Sequence, residues 1–422
     1  NGGGPVHINL ITTYSRDFSV KELPHVKVMR RFQAWDELPV LLEGRIGIYV
    51  GSHTHFSEKQ NRAIDRFCAT YDAVVICDHT SGYYGKYKLL PTLVQLQSDI
   101  TSPFPPLDLM VHIGEISAAS FNDTIPAKEV WRVSEDGELR DPFKKLTTVF
   151  QMSEEMFFLH YGKDGCNRHV LIDECRELFG EIYEQIPELP FCNIWTAMQL
   201  SSRLPKGALF HMGVSNTRRC WNMFQLPESV ESACNVGCCG IDGCVSTLVG
   251  ASLVNPDRLC YVVVGDLTFF YDLNSLGNHH IGTNLRVMLV NNGRGTEFRL
   301  GIHHCNVFGD DADKYMAAAG HFGNKSPLLV KHYAEDLGFH YLSATTKEEF
   351  MTALSNFTNP QLSDHSMILE VFTDSKDESE ALYLMSHIQS DAKGMVRSKL
   401  KDAVRNVAGE KGINAIKKIL KK

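Results

Sequence analysis

Four apolar runs constrain this chain more than any other feature. ALFHMGV, RLCYVVVGD, LRVMLVNN and SMILEVF are continuously hydrophobic, whereas a strand with one wet face alternates polar and apolar residues. Strands of this kind are buried on both faces, and the helix-length segments between them supply the covering layers. The rhythm also occurs earlier: GRIGIYVG, AVVICD and LDLMVHIG read as strands, and SEKQNRAIDRFCATY as an amphipathic helix. The expected fold class is α/β, with two doubly wound parallel-sheet domains and a helical basic tail. Residues 1–35 form a connector that includes the short strand pattern VHINL. Residues 36–180 form a first α/β domain, 181–375 a second, and 376–422 the tail. The helical-period stretch 152–204 bridges the two domains.

Composition removes several function classes. With 43% hydrophobic residues among 422 and no long low-complexity tract, disorder is not the main state. A net charge of -8 argues against nucleic acid as a partner of the body. No run of about 18 apolar residues occurs to span a bilayer, and the opening residues lack a signal-peptide pattern, so a cytoplasmic protein is expected. The twelve cysteines contain no CxxC pair and read as reduced thiols. Cys234, Cys238, Cys239 and Cys244 have spacings unlike a zinc ribbon, which favours packing over metal ligation. Residues 391–422 carry ten Lys and Arg against three acids. Two readings of that tail stay open: a solvated helical appendage, or a docking segment for an acidic partner or membrane surface.

The chemistry gathers where the buried strands end. YVVVGDL puts Asp266 just past the carboxyl end of one strand, and LRVMLVNN puts Asn291 and Asn292 at the same end of the next. The intervening residues allow one helix, read over YDLNSLGNHH, and a return. A carboxylate and an amide oxygen converging there suit magnesium, which takes hard oxygen ligands. The turn NNGRG offers a carbonyl from Arg294, with Gly293 and Gly295 letting the backbone fold back. Upstream, NVGCCGIDGCVSTLVG places Gly237, Gly240 and Gly243 before a helix starting near Cys244, and exposed amides at such an entry favour an anion. Alone, that loop is more often simple tight packing. His53 and His55, His279 and His280, and His303 and His304 lack the spacing of metal ligands on a helix.

Gly265-Asp266 followed by Asn291-Asn292 resembles the GD...NN fingerprint of thiamine diphosphate enzymes. GPVHIN, GVSNTRR, CGIDGCVST, GDLTFFYDLN and VNNGRGTEF together resemble the menaquinone-pathway synthases that join decarboxylated 2-oxoglutarate to isochorismate. The resemblance runs in order over residues 2–375. It implies a central domain without a nucleotide of its own, followed by a diphosphate-binding domain. Asp266 and Asn292 would be side-chain magnesium ligands, and Arg294 would give a main-chain oxygen. Gly240, Asp242, Gly265, Leu267 and Thr268 would lie against thiamine diphosphate, with Ile241 as the apolar wedge beneath it. Ser215 and Arg219 would sit near the reacting centre, Arg219 pairing with a substrate carboxylate.

The departures bear on substrate. Val236 stands where these synthases have an arginine, the basic residue expected after LDLMVHIG falls near Ser120, and Glu297 replaces an apolar residue before Phe298. Glu297 is expected either to serve the substrate or to turn to solvent. The resemblance also implies a pyrimidine-binding domain ahead of GPVHIN, bearing the glutamate that protonates the cofactor's ring. The expectation is therefore a truncated piece or one chain of a split enzyme, inactive alone and completed by that domain in cis or in trans. Expected partners are a small 2-oxo acid and an acceptor, and a second copy or three further copies of the chain. The rival expectation is a non-catalytic scaffold or regulatory relative that binds a partner through its basic tail.

Overall fold

The structure is a computed structural model that describes residues 7, 9, 22, 28–41, 43–100, 104–115, 125–237, 239–301, 303–315, 323 and 326–391. Its strands are β1 (Arg30–Gln33), β2 (Ile46–Val50), β3 (Val74–Ile76), β4 (Lys88–Leu89), β5 (Leu107–Ile113), β6 (Ala127–Ser134) and β7 (Leu146–Gln151) in the first half. The second half holds β8 (Leu209–Met212), β9 (Glu231–Cys234), β10 (Cys260–Gly265), β11 (Leu285–Asn291), β12 (His340–Ala344) and β13 (Met367–Phe372). They form two sheets, ordered β1-β7-β6-β5-β2-β3-β4 and β12-β13-β11-β10-β8-β9. Every pairing within these sheets is parallel.

The apolar runs form central strands for the reason their composition suggests. In β10, Val262 and Val264 enter one apolar cluster, while Tyr261 and Val263 enter another on the opposite face. Both faces of β10 are therefore taken up by apolar packing. The helix Glu58–Tyr71 starts at Ser57, whose hydroxyl accepts from the Gln60 amide while the Gln60 side chain accepts from the Ser57 amide. That reciprocal cap satisfies two donors that would otherwise be orphaned at the helix start.

Several boundaries differ from the sequence expectation. β1 lies inside the expected connector yet pairs with β7 at the edge of the first sheet. The helix Val170–Glu184 runs across the expected boundary at 180. The helix Ser375–Ser386, assigned to the tail, is docked: Glu378, Ala381, Leu382 and Met385 are buried. Its end is tied to the first domain, because Gln97 Nε2 donates to the Met385 carbonyl at 2.8 Å. Apolar residues at 381, 382 and 385 make an inward stripe that the charged start, SKDESE, conceals. Residues 392–422 and most of VHINL lie outside the described residues.

Each sheet has one reversal near its centre, and the second sheet turns back again at its edge, where β13 returns between β12 and β11. In the first, β2, β3 and β4 step outward one way, and β5 returns to the other side of β2 before β6 and β7. In the second, β8 and β9 step one way and β10 returns to the other side of β8. Crevices form at such reversals, beyond the carboxyl ends of the strands, and ligands of doubly wound sheets bind there. In the first sheet this place is closed. Ser52 and Glu115 exchange backbone hydrogen bonds of 3.1 and 2.8 Å across it, and the Gly51 amide donates to the Ile113 carbonyl.

The two domains share a polar seam. Asp78, just after β3, pairs with Arg218 at 3.3 Å, their side chains only 3% and 10% exposed. His79 Nε2 faces the carbonyls of Trp221 and Phe224 at 3.1 and 2.9 Å, which assigns the proton to that nitrogen. Burial, followed by the charge of Lys88, depresses the His79 pKa to about 4.

Candidate functional site at the second sheet reversal

The reversal between β8 and β10 collects the residues that the sequence singled out. β9, β8, β10 and β11 are consecutive neighbours pointing the same way. Their carboxyl ends therefore lead, in that order, into the glycine-rich loop, Ser215, Asp266 and Asn292. Asp266 is the first residue of the helix Asp266–Tyr271, which begins directly at the end of β10. The sequence reading put a helix later, over YDLNSLGNHH. That stretch instead contains the end of this helix and a 3-10 turn, Leu273–Gly277.

Asp266 is 2% exposed, and its Oδ1 accepts from the Leu267 amide at 2.7 Å. β10 and β11 are in register with Gly265 opposite Val290, so Asp266 and Asn292 leave adjacent strands within one residue step of each other. Successive strand residues face opposite ways, and the two asparagines are separated accordingly. Asn291 donates to Glu370 Oε1 at 2.7 Å, and Tyr341 donates to the other oxygen of the same carboxylate at 2.7 Å. Asn292 Oδ1 is buried and has no hydrogen-bond partner among the described residues. A buried acceptor left unsatisfied costs about 1–3 kcal/mol, a cost that a cation would remove.

The residues present fit a hard divalent ion. They offer a carboxylate at Asp266, an orphaned amide oxygen at Asn292 and the Arg294 carbonyl, which already accepts from the Thr296 amide at 2.9 Å and retains a second lone pair. Gly293 has φ 81 and makes the turn, whereas Gly295, at φ -71, needs no glycine freedom. Among the described residues, no group of three His, Cys, Asp or Glu is placed to hold a metal. His279 and His280 lie against each other in an exposed loop, ring centroids 3.8 Å apart and planes tilted by 41°, and His53 pairs with Glu154 at 3.1 Å.

The glycine-rich loop turns through two left-handed residues, Cys239 at φ 52 and Gly243 at φ 78, into the helix Cys244–Val254. Ile241 is half-buried, Asp242 exposed and Gly240 half-buried. The helix entry is less open to an anion than expected, because Asp272 Oδ2 already accepts from the Ser246 amide at 2.6 Å. Likewise the Leu267 amide is engaged by Asp266. Thr268 is buried. Burial pushes the Cys234 thiol up to about 12 and Cys244 to about 11, so both stay protonated near neutral pH.

Arg219 lies on the helix Asn216–Trp221, whose preceding residue Ser215 has φ 61 and ψ -122. That backbone conformation is strained for a non-glycine residue. The guanidinium is occupied: Nη1 donates to Glu297 Oε2 at 2.9 Å and Nη2 to Glu297 Oε1 at 2.6 Å. Glu297 therefore does not turn to solvent. Asn216 extends the network, accepting from Arg219 Nη1 and donating to the buried Glu378, each at 3.5 Å. Val236 is 8% exposed. Ser120 lies outside the described residues. Sequence reasoning missed Asp272, Asn216 and Glu378. Only the placement of Glu378 three residues before an apolar pair hints at its burial.

Two fully parallel, doubly wound domains define the class, the second carrying an oxygen-rich, carboxylate-bearing site at its reversal. No family profile matches the chain. The chain resembles 2-succinyl-5-enolpyruvyl-6-hydroxy-3-cyclohexene-1-carboxylate synthase along most of its length. It is 28% identical to the Bacteroides thetaiotaomicron protein of that name over 410 residues, covering 90% of this chain and 70% of the relative. The synthase of Phocaeicola vulgatus gives the same figures over 416 residues. That of Christiangramia forsetii is 33% identical over 199 residues, or 47% of this chain and 33% of the relative. Among the described residues no helix is long and apolar enough to cross a membrane.

Proposed function

We propose that the chain carries the diphosphate- and magnesium-binding part of a cytoplasmic, thiamine diphosphate-dependent 2-oxo acid decarboxylase or carboligase with altered substrate positions. The observation that supports this most is the orphaned, buried Asn292 Oδ1 beside Asp266 at the second reversal. Asp266, Asn292 and the Arg294 carbonyl would hold magnesium. Gly240, Asp242, Gly265, Leu267 and Thr268 would line the diphosphate, and half-buried Ile241 would support the cofactor from below. For Leu267 to donate to a phosphate, its amide must leave Asp266 Oδ1, which magnesium would draw away.

When bound, thiamine diphosphate supplies the electron sink for loss of carbon dioxide from a 2-oxo acid. The chain's own residues position and neutralise. Asp266 brings negative charge to a site meant for diphosphate, and that charge is acceptable only with a divalent ion between the two. The pyrimidine end would be held by a further domain, in cis or in trans, and the protein would work as a homodimer or homotetramer.

The test is calorimetric titration of the full chain with thiamine diphosphate, with and without magnesium. Magnesium-dependent binding is expected, and Asp266→Ala should weaken it by at least about 100-fold, since even outer-shell partners of metals are worth 10–100-fold. Equal affinity in the variant would refute the ligand assignment. Carbon dioxide release from a panel of 2-oxo acids, with the pyrimidine-binding partner present, separates this reading from a scaffold.

A further inference from the structure

Arg219 and Glu297 are 78 residues apart in sequence and form a two-point ion pair about four-fifths buried, with side chains 22% and 21% exposed. Glu297 belongs to the 3-10 turn Thr296–Arg299, which follows directly on the Asn292 turn. The pair therefore stands at the rim of the candidate cofactor site. Two parallel N–H···O bonds to one edge of a guanidinium are the arrangement a substrate carboxylate would itself use. Here a side chain of the same molecule has taken it.

We propose that Glu297 is a specificity residue, a built-in carboxylate that closes Arg219, so that the chain selects 2-oxo acids whose only carboxylate is the one lost in the reaction. This rests on the reading given above and names its substrate class. A dicarboxylic donor would need a cation for its second, permanent carboxylate. At Arg219 it would meet a neutral pair and the negative charge of Glu297. To bind, it must expel Glu297 into a half-buried site without a partner, and such unpaired charges are disfavoured. Asn216 Oδ1 offers the guanidinium a further, longer contact at 3.5 Å. Val236 argues independently in the same direction. It is buried and apolar, where the resemblance places a second cation.

The proposal predicts that an unreactive dicarboxylate is refused by the wild type and admitted once Glu297 loses its charge. Glutarate is titrated calorimetrically into the full chain, into Glu297→Gln, Glu297→Leu and the double variant Arg219→Gln/Glu297→Gln. Each sample is also titrated with magnesium and thiamine diphosphate. Glutarate should bind either single variant at least about tenfold more tightly than wild type, the scale of one strong charge-assisted contact, and the double variant should lose that gain. Equal glutarate affinity in the wild type and both single variants would overturn the proposal, as would a gain that survives loss of Arg219. Using two single variants protects the test against one failing to fold. If the cofactor binds no sample while glutarate follows the expected order, the thiamine reading fails and the closed clamp stands.

Discussion

The central reversals of the two sheets share topology but not chemistry. At the first, backbone closes on backbone: Ser52 and Glu115 bridge the gap, and a Cβ on Gly51 would lie 1.8 Å from the Glu115 carbonyl oxygen. The Gly114 carbonyl accepts from the buried Arg132 at 2.6 Å. At the second, the strand ends carry Asp266 and an Asn292 oxygen with no donor among the described residues. The difference teaches that a doubly wound sheet supplies a crevice, while the residues just past two strands decide whether it becomes a seam or a site.

Three substitutions would break or sharpen that contrast, beyond those at Asp266 and Glu297. The largest effect is expected at the seam. Asp78→Ala leaves Arg218 buried without its carboxylate, which should destabilise the chain by about 3–5 kcal/mol, read as a lower urea midpoint. A loss below about 1 kcal/mol would mean that the seam is not held electrostatically.

Next comes Glu378, which sits behind the second reversal and is hydrogen-bonded by the Asn193 amide, Thr373 and Asn216. Burial raises its pKa from 4.5 to about 7, against the lowering effect of those bonds. A carboxyl raised on folding binds its proton more tightly in the native state. Its contribution is therefore favourable below pH 4.5 and is lost as pH rises through 7. His79 and His112 in the first domain, depressed by burial to about 4 and 3, do the opposite and lose stability as pH falls below 6.5. His211 on β8 behaves as they do. Glu378→Gln should accordingly stabilise the chain at pH 8 by up to about 3 kcal/mol. It should leave a steeper acid loss between pH 7 and 4.5, measured as thermal midpoints across that range. Identical pH profiles would show that Glu378 is solvated.

The smallest effect is expected from Gly51→Ala. The added methyl must part the Ser52–Glu115 bridge, at a cost of about 1–3 kcal/mol typical of overpacking. Hydrogen exchange at the Ser52 and Glu115 amides should quicken, with magnesium-dependent cofactor binding unaltered. Loss of cofactor binding in that variant would show that the two reversals are not independent.

Much of the central fold was legible beforehand, because burial on both faces demands continuous apolar strands and only parallel sheets between helices provide it. Edge elements were not. β1 and β9 are short and partly exposed, so no hydrophobic pattern marks them. At the site, the strand-end positions of Asp266 and Asn292 could be read from local spacing. The occupied helix entry at Ser246 could not, since Asp272 reaches it from 26 residues away.

By itself, then, the sequence determined which segments must be buried strands and which polar residues follow them, because both are set by patterns within a few residues. Tertiary structure alone decided that the first reversal is sealed, that among the described residues the Asn292 oxygen is left without a donor while Asn291 is engaged by Glu370, and that Arg219 meets Glu297. These are matters of which distant groups the topology brings within hydrogen-bond reach. No local pattern encodes that choice, because partners are fixed only once the crossovers set strand order and each strand's pleat sets its faces.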